Sequence, residues 1–263
     1  AVIAAMVRRL LRPGWDVVEL NNIPEASRTP RIVRAVCAEA GYRTLTTKQF
    51  VCPTLLIAGR EEEARTVFNK PSLRRRENGL RRGGRVACRH LKAGDEILPY
   101  LDSFFDQHVA RWKDGRRGPS LFTDNRNRAF YRELTGALSK RGWLLFSLVE
   151  LDGRAIAFHY GFDYDGAVMW YKPSFDVSHA SKSPGLVLLR NIIGYALDNG
   201  RREFDFTVGD EAFKARFTNA SRRTVSVRVY KSPVRYLLDA ARDRATRVMK
   251  TLSRGHFALR TSR

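Results

Sequence analysis

The sequence predicts an α+β fold, a mixed and mostly antiparallel sheet flanked by helices. Three observations point there. From residue 85 onward the apolar periodicities run strand, helix, helix, strand, strand, strand, helix, strand, helix, strand. That order suits a sheet with segregated helices rather than an alternating doubly wound one. Asp152-Gly153 and Asp165-Gly166 each stand between two apolar runs, the strongest short-range signal for a hairpin turn. Trp143–Leu151 is nearly all apolar, as a strand covered on both faces should be.

Taken in order, Ala1–Leu11 reads as a helix ending before Pro13-Gly14, and Trp15–Leu20 as a strand stopped by Asn21-Asn22 and Pro24. Thr29-Pro30 opens a helix that runs to Ala40 and closes at Gly41. Thr44–Phe50 and Pro53–Ala58 are strand-like, and Glu61–Phe68 is a short helix. Asn69–Gly84 is the most basic run; as a helix from Pro71 to Leu80 it places Leu73, Glu77 and Leu80 on one side and arginines around the rest, a basic linker helix or an anion-binding surface. Arg85–Leu91 is a strand. The helix from Gly94 to Trp112 turns Leu98, Leu101, Phe104, Phe105 and Val109 inward; the helix Asn125–Arg141 turns in Phe130, Leu134, Ala137 and Leu138; Lys113–Ser120 between them is a loop. Strands follow at Trp143–Leu151, Arg154–Tyr164 and Ala167–Tyr171. After a long helix and the strand Glu203–Val208, Thr224–Lys231 alternates cleanly as a last strand, and Pro233–Leu252 is a basic amphipathic helix with a polar tail to Arg263.

The chain is organised around Ser178–Phe217. Ser183 reads as an N-cap and Pro184 as the first residue of a helix whose Leu186, Val187, Leu188, Leu189, Ile192, Ile193, Tyr195 and Leu197 leave little of it polar. Asn199-Gly200 ends it, Phe204 and Phe206 share a strand face, and Gly209-Asp210 turns into a short basic helix. A helix N-terminus with Ser181, Lys182, Ser183 and Gly185 offers hydroxyls, a cation and bare backbone to an anion. Ser183-Pro184-Gly185, Phe204-Asp205-Phe206 and Gly209-Asp210-Glu211 with Phe213-Lys214 together resemble the GNAT acyltransferase superfamily, in its tandem branch of CelD-type and FemAB-type proteins, over roughly Leu73 to Tyr230.

That resemblance implies a GNAT-like sheet over 85–231, preceded over 1–84 by a truncated second GNAT-like module with its basic linker helix, and followed over 232–263 by a basic helical tail. It implies acyl transfer from acetyl-CoA or another acyl-CoA, without metal, to an amine-bearing small molecule or glycan precursor; FemAB-type relatives use aminoacyl-tRNA instead, and a non-catalytic GNAT-like module that binds an anionic partner is the remaining alternative. The phosphate cradle would be Ser181, Lys182, Ser183, Gly185 and Leu186, although this loop offers one glycine where the family motif has two, and Pro184 lacks an N–H donor. The pantetheine arm would lie where Ala167–Tyr171 and Glu203–Val208 part. Asp205, opposite Phe204 and Phe206 on its strand, is the first candidate for a general base or an ammonium-binding carboxylate; a sheet-surface carboxylate paired to arginine is the plainer alternative. His159, with small neighbours and space beside it, is a second candidate base, with a hydrogen-bonded core histidine the plainer alternative, and a tyrosine such as Tyr171, otherwise structural, could supply the acid for the thiolate. Asp210, as a cap of the short helix, Lys214, reaching back to an anion, and Glu150 are candidate substrate contacts, with Tyr195 a further one.

With 48 basic and 27 acidic residues in 263, the chain carries a formal charge of +21. Such a charge favours anionic partners: nucleotide-type cofactors, tRNA, acidic glycans or a peripheral contact with an anionic membrane. Cys37, Cys52 and Cys88 are odd in number and lack metal-ligand spacing, which argues against a disulfide framework and for a reducing, cytoplasmic setting. No run approaches the ~20 apolar residues of a membrane span. No Walker loop, dinucleotide fingerprint or Ser-His-Asp pattern is visible. The chain opens at Ala1 inside a helical pattern, so a preceding N-terminal portion is expected.

Overall fold

A computed structural model of the chain describes residues 2–11, 14–113 and 118–258, the side chains at 247, 248 and 250–258 excepted. In chain order the elements are α1 (Val2–Leu10), β1 (Val17–Pro24), α2 (Thr29–Glu39), β2 (Arg43–Leu56), α3 (Glu61–Phe68), α4 (Pro71–Arg81), β3 (Val86–Leu91), α5 (Gly94–Ile97), α6 (Leu101–Arg111), α7 (Asn125–Ser139), β4 (Leu144–Leu151), β5 (Arg154–Tyr164), β6 (Ala167–Phe175), α8 (Pro184–Asp198), β7 (Glu203–Asp205), α9 (Ala212–Ala215), β8 (Ala220–Tyr230) and α10 (Pro233–Ala258). Part of the expected loop at 113–120 and the end of the tail, 259–263, lie outside the described residues.

Two compact units divide the chain: residues 1–51 with 222–263, and residues 52–221. In the first, the strand order is β1-β8-β2, with β1 antiparallel to β8 from Val17↔Tyr230 to Pro24↔Thr224. Val7, Val33, Val36 and Cys37 pack on Ile23, Val225, Val227 and Val229. Asn21-Asn22 does not end β1. The strand bulges there, Asn22 takes φ 56°, and the Gln49 side chain satisfies both residues, donating to Asn21 Oδ1 and accepting from the Asn22 N–H. No second GNAT-like module is evident among the described N-terminal residues, whose β1 instead pairs with the C-terminal strand.

In the second unit the order is β2-β7-β6-β5-β4-β3, antiparallel throughout except for β6 beside β7. Both Asp-Gly pairs have positive φ at each residue, the primed turn that matches strand twist. One sheet face is covered by α3, α4 and α8 and the other by α5, α6 and α7. The α4 helix is no solvated linker: Leu73 and Leu80 are fully buried in the same core as α8. Buried Glu77 bonds to Arg81 and to Arg190 of α8. The inward face of α7 is Tyr131, Leu134, Thr135 and Leu138; Phe130, expected inside, is exposed. Leu98 is likewise exposed because α6 starts only at Leu101, after a 3-10 turn, and His108 fills its inner face instead.

Candidate active site

The site begins with an irregularity in the β5–β6 pair. Tyr160 faces Lys172 but Phe162 faces Met169, so Trp170 and Tyr171 together oppose Gly161. Trp170 turns toward the α8 core, and Tyr171 turns to the other face, its ring 5.2 Å from Phe162. Gly161 is required here. A Cβ would fall 2.0 Å from His159 Cε1 and 2.5 Å from the Met169 carbonyl oxygen. His159 does not stand beside open space as a base. It is fully buried and stacked on Trp170 at 4.7 Å, and its Nε2 accepts the Tyr171 N–H that the bulge frees. Burial, with the nearby His90, holds its pKa down at about 3, so it stays a neutral acceptor and sets the position of Tyr171.

Beyond the bulge the two parallel strands part. β6 and β7 pair from Ala167↔Glu203 to Met169↔Asp205 and no further. β7 stops at Asp205, short of the expected Val208, because the Asp205 carboxylate accepts the Thr207 N–H and Thr207 takes φ 57°. The Thr207 hydroxyl donates to the Trp170 carbonyl at the fork. β6 runs on to Phe175 paired with β5 but no longer with β7, and Arg111 of α6 donates to its Pro173 carbonyl at 2.9 Å. By register Asp205 shares the Met169 face, the face to which Tyr171 turns. Tyr171 is 40% exposed and accepts a hydrogen bond from the Tyr131 hydroxyl.

The N-terminus of α8 lies in the gap. Ser183 precedes it at φ 53°, ψ 51°, and its side chain makes no cap bond. It is therefore not the ordinary side-chain N-cap expected, although its carbonyl accepts the Leu186 N–H at 3.0 Å. Ser183 and Thr207 are left-handed non-glycine residues of the kind that collect at functional sites. Between β6, α8 and α9 is a cavity of about 280 Å³ lined by Arg111, Phe175, Ser183, Gly185, Leu186 and Phe213 among others. The Ser174 hydroxyl at its wall is buried without a hydrogen-bond partner among the described residues. The arrangement offers an extended slot beside the β6 edge that β7 leaves, with the N-terminus of α8 at its end.

Of the five expected cradle residues, Ser183, Gly185 and Leu186 line this cavity. Ser181 is exposed in the preceding 3-10 turn, and the Lys182 ammonium leans on Gly83. Lys214 does not reach out to an anion: it is buried, bonded to the Val208 carbonyl and ion-paired with Glu211. Asp210 does not cap α9, whose N-cap position is Glu211. Glu150 pairs with Arg89 opposite Ala87 on β3 and is not a wall of the cavity. The Tyr195 hydroxyl donates to Asp163, a buried carboxylate shared with Lys92 and Arg201. Sequence reasoning missed Arg111, Ser174 and Phe175. A serine and an aromatic beyond an expected strand end gave no signal, nor did an arginine in the last turn of a helix. No group of three His, Cys, Asp or Glu that could hold a metal is found among the described residues.

Residues 69–215 match the acetyltransferase (GNAT) domain family. No curated protein sequence matches the chain. Among solved structures, a protein of unknown function from Bacteroides thetaiotaomicron superposes with TM-score 0.59 at 14% identity, covering 87% of this chain and 75% of that one. FemX superposes with TM-score 0.59 at 9% identity over 85% and 75%. L-PGS from Bacillus licheniformis gives 0.51 at 14% identity over 89% and 73%. At such identities these likenesses establish a shared fold.

Proposed function

This chain belongs to the GNAT acetyltransferase family, whose activity class is acyl-CoA-dependent transfer, and from that premise we propose the donor path, the acceptor and the residues that serve them. The donor is acetyl-CoA. Its pyrophosphate rests on Ser183, Gly185 and Leu186 at the head of α8, with Ser181 and Lys182 adding a hydroxyl and a cation nearby. Its pantetheine follows the free edge of β6 through the cavity. The observation that carries this reading is the fork itself: β6 and β7 separate after Met169 and Asp205, and the opening leads to a helix N-terminus that no side chain caps.

The acceptor is an amine on a sugar or polysaccharide precursor, met in the cytoplasm. It approaches from the α6–α7 face, where Asp205 and Tyr171 lie. Asp205 attracts the ammonium form and helps pass one of its protons to water, and the neutral amine then attacks the thioester carbonyl. A C–N bond forms, the C–S bond breaks, and Tyr171 gives its proton to the departing thiolate while the new amide loses one to water. No covalent enzyme intermediate is needed. Asp210 and Glu150 have no contact in the cavity that supports a binding role.

Calorimetric titration with acetyl-CoA tests the donor. Micromolar binding is expected, weakened at least tenfold in Gly185→Val. A side chain there enters the slot against Phe175, whose ring lies 3.3 Å from where the Cβ would sit. Asp205→Asn should raise KM for the amine and leave acetyl-CoA affinity intact. Absence of acetyl-CoA binding, with tRNA bound in a steeply salt-dependent manner, would overturn this donor in favour of an aminoacyl-tRNA.

A further inference from the structure

The α10 helix is amphipathic in the wrong sense for a helix that only packs on its own protein. At 3.6 residues per turn, Val234, Leu237, Leu238, Ala241, Ala245 and Met249 fall within an arc of about 120°. That arc faces outward: Val234 is 66% exposed, Leu237 64%, Leu238 57% and Met249 69%. The face turned to the first unit is the polar one. Tyr236 packs its ring 5.7 Å from Tyr230 of β8, and Asp239 accepts the Tyr230 hydroxyl at 3.0 Å. The geometry is therefore fixed by named contacts, and it leaves the apolar stripe uncovered.

Charge decides what could cover it. The first unit holds 20 basic and 6 acidic residues, so +14 of the chain's +21 sits on 93 of its 263 residues. Arg235 and Arg242 fall along one border of the apolar arc and Arg244 along the other, and all three are exposed. A second copy would bring an equal positive charge against this one. A nucleic acid would use the arginines and leave the leucines in water. A bilayer with anionic headgroups satisfies both: leucines enter the acyl boundary while flanking arginines reach the phosphates.

We infer that α10 docks this protein on an anionic lipid surface, lying in the interface plane. No helix among the described residues is long and apolar enough to cross a membrane, so the contact is peripheral. This inference is independent of the donor and acceptor assigned above.

The test is co-sedimentation of the whole chain with vesicles of phosphatidylcholine alone, or with about a third of phosphatidylglycerol added. Binding is expected to the anionic vesicles and not to the neutral ones, weakening as salt rises. The double variant Leu237→Glu/Leu238→Glu should bind at least tenfold more weakly, with its circular dichroism and acetyl-CoA titration unchanged, since both side chains already stand in solvent. Failure of the native chain to bind anionic vesicles overturns the inference, as does a double variant that binds as well as the native chain. Concentration-dependent dimerisation in sedimentation velocity, abolished by the same variant, would assign the stripe to a second copy and overturn it too.

Discussion

Replacing Gly161 with alanine should damage this protein more than any other single methyl group added to a glycine of the sheet. The new Cβ would lie 2.0 Å from His159 Cε1 and 2.5 Å from both His159 Nε2 and the Met169 carbonyl oxygen. His159 cannot swing away, because it is fully buried against Trp170, and Met169 O belongs to the backbone. Overpacking of this kind costs about 1–3 kcal/mol. Displacing the imidazole also strands the Tyr171 N–H it accepts, a further loss of about 1–3 kcal/mol. Together they give about 4 kcal/mol, a large share of the roughly 5–15 kcal/mol that holds a typical domain folded. Urea denaturation followed by tryptophan fluorescence measures it, and near-UV circular dichroism should report loss of the Trp170 stacking. Gly136→Ala is the control, since nothing lies within 4 Å of its added Cβ; it should be neutral or stabilising by up to about 1 kcal/mol. A loss below about 1 kcal/mol for Gly161→Ala, with unchanged acetyl-CoA affinity, would refute the argument that His159 and Gly161 jointly set the bulge.

Other outcomes follow from buried charge and titration. The native pKa values of His159 and His108 are depressed, to about 3 and about 4, and that of His90 is also lowered, in each case chiefly by burial. Below pH ~6.5 the unfolded chain takes up protons that the native imidazoles refuse, so stability should fall as pH drops from 6.5 to 5, by about 1.4 kcal/mol per pH unit for each fully shifted histidine. His159→Phe should make that slope shallower in urea titrations at several pH values, and a flat profile in the native chain would contradict the burial argument. Arg190→Met removes the partner that reaches Glu77 from α8 and should cost about 3 kcal/mol. Adding Glu77→Leu should restore at least half of that loss in guanidinium denaturation, whereas no restoration would mean that the pair is not the source.

Much of the element order was legible because short-range chemistry wrote it plainly. Two Asp-Gly turns placed β4, β5 and β6, and the arginine-rich α4 showed its inner side through Leu73, Glu77 and Leu80. What escaped depended on partners far away in sequence. β1 continues through Asn21-Asn22 because Gln49 answers them, and no local rule could foresee that. α7 is rotated by about one residue from its expected face, since Tyr131 and Thr135 both meet Tyr160 and outcompete Phe130. The position of the cavity at the head of α8 was readable from Ser183-Pro184-Gly185. Its other wall was not: β6 overruns Tyr171 through a bulge, and Arg111 arrives from a helix end more than seventy positions before Ser183. Lys214 read as a cation reaching back to an anionic ligand because its carbonyl partners at 208 and 209 appear only once the loop has folded.

The pairing of β1 with β8 also constrains the order in which a ribosome can deliver a finished molecule. β1 has β8 as its neighbour in the first unit, and Val17 waits for Tyr230. At about 5–20 residues per second, that wait lasts roughly ten to forty seconds. Residues 52–221 form one unbroken stretch and can condense during it, while the apolar side of β1 stays without its mate. Chains truncated after residue 221 should hence resist protease over residues 52–221 yet be clipped within residues 1–51, and β1 should need a chaperone until β8 has emerged.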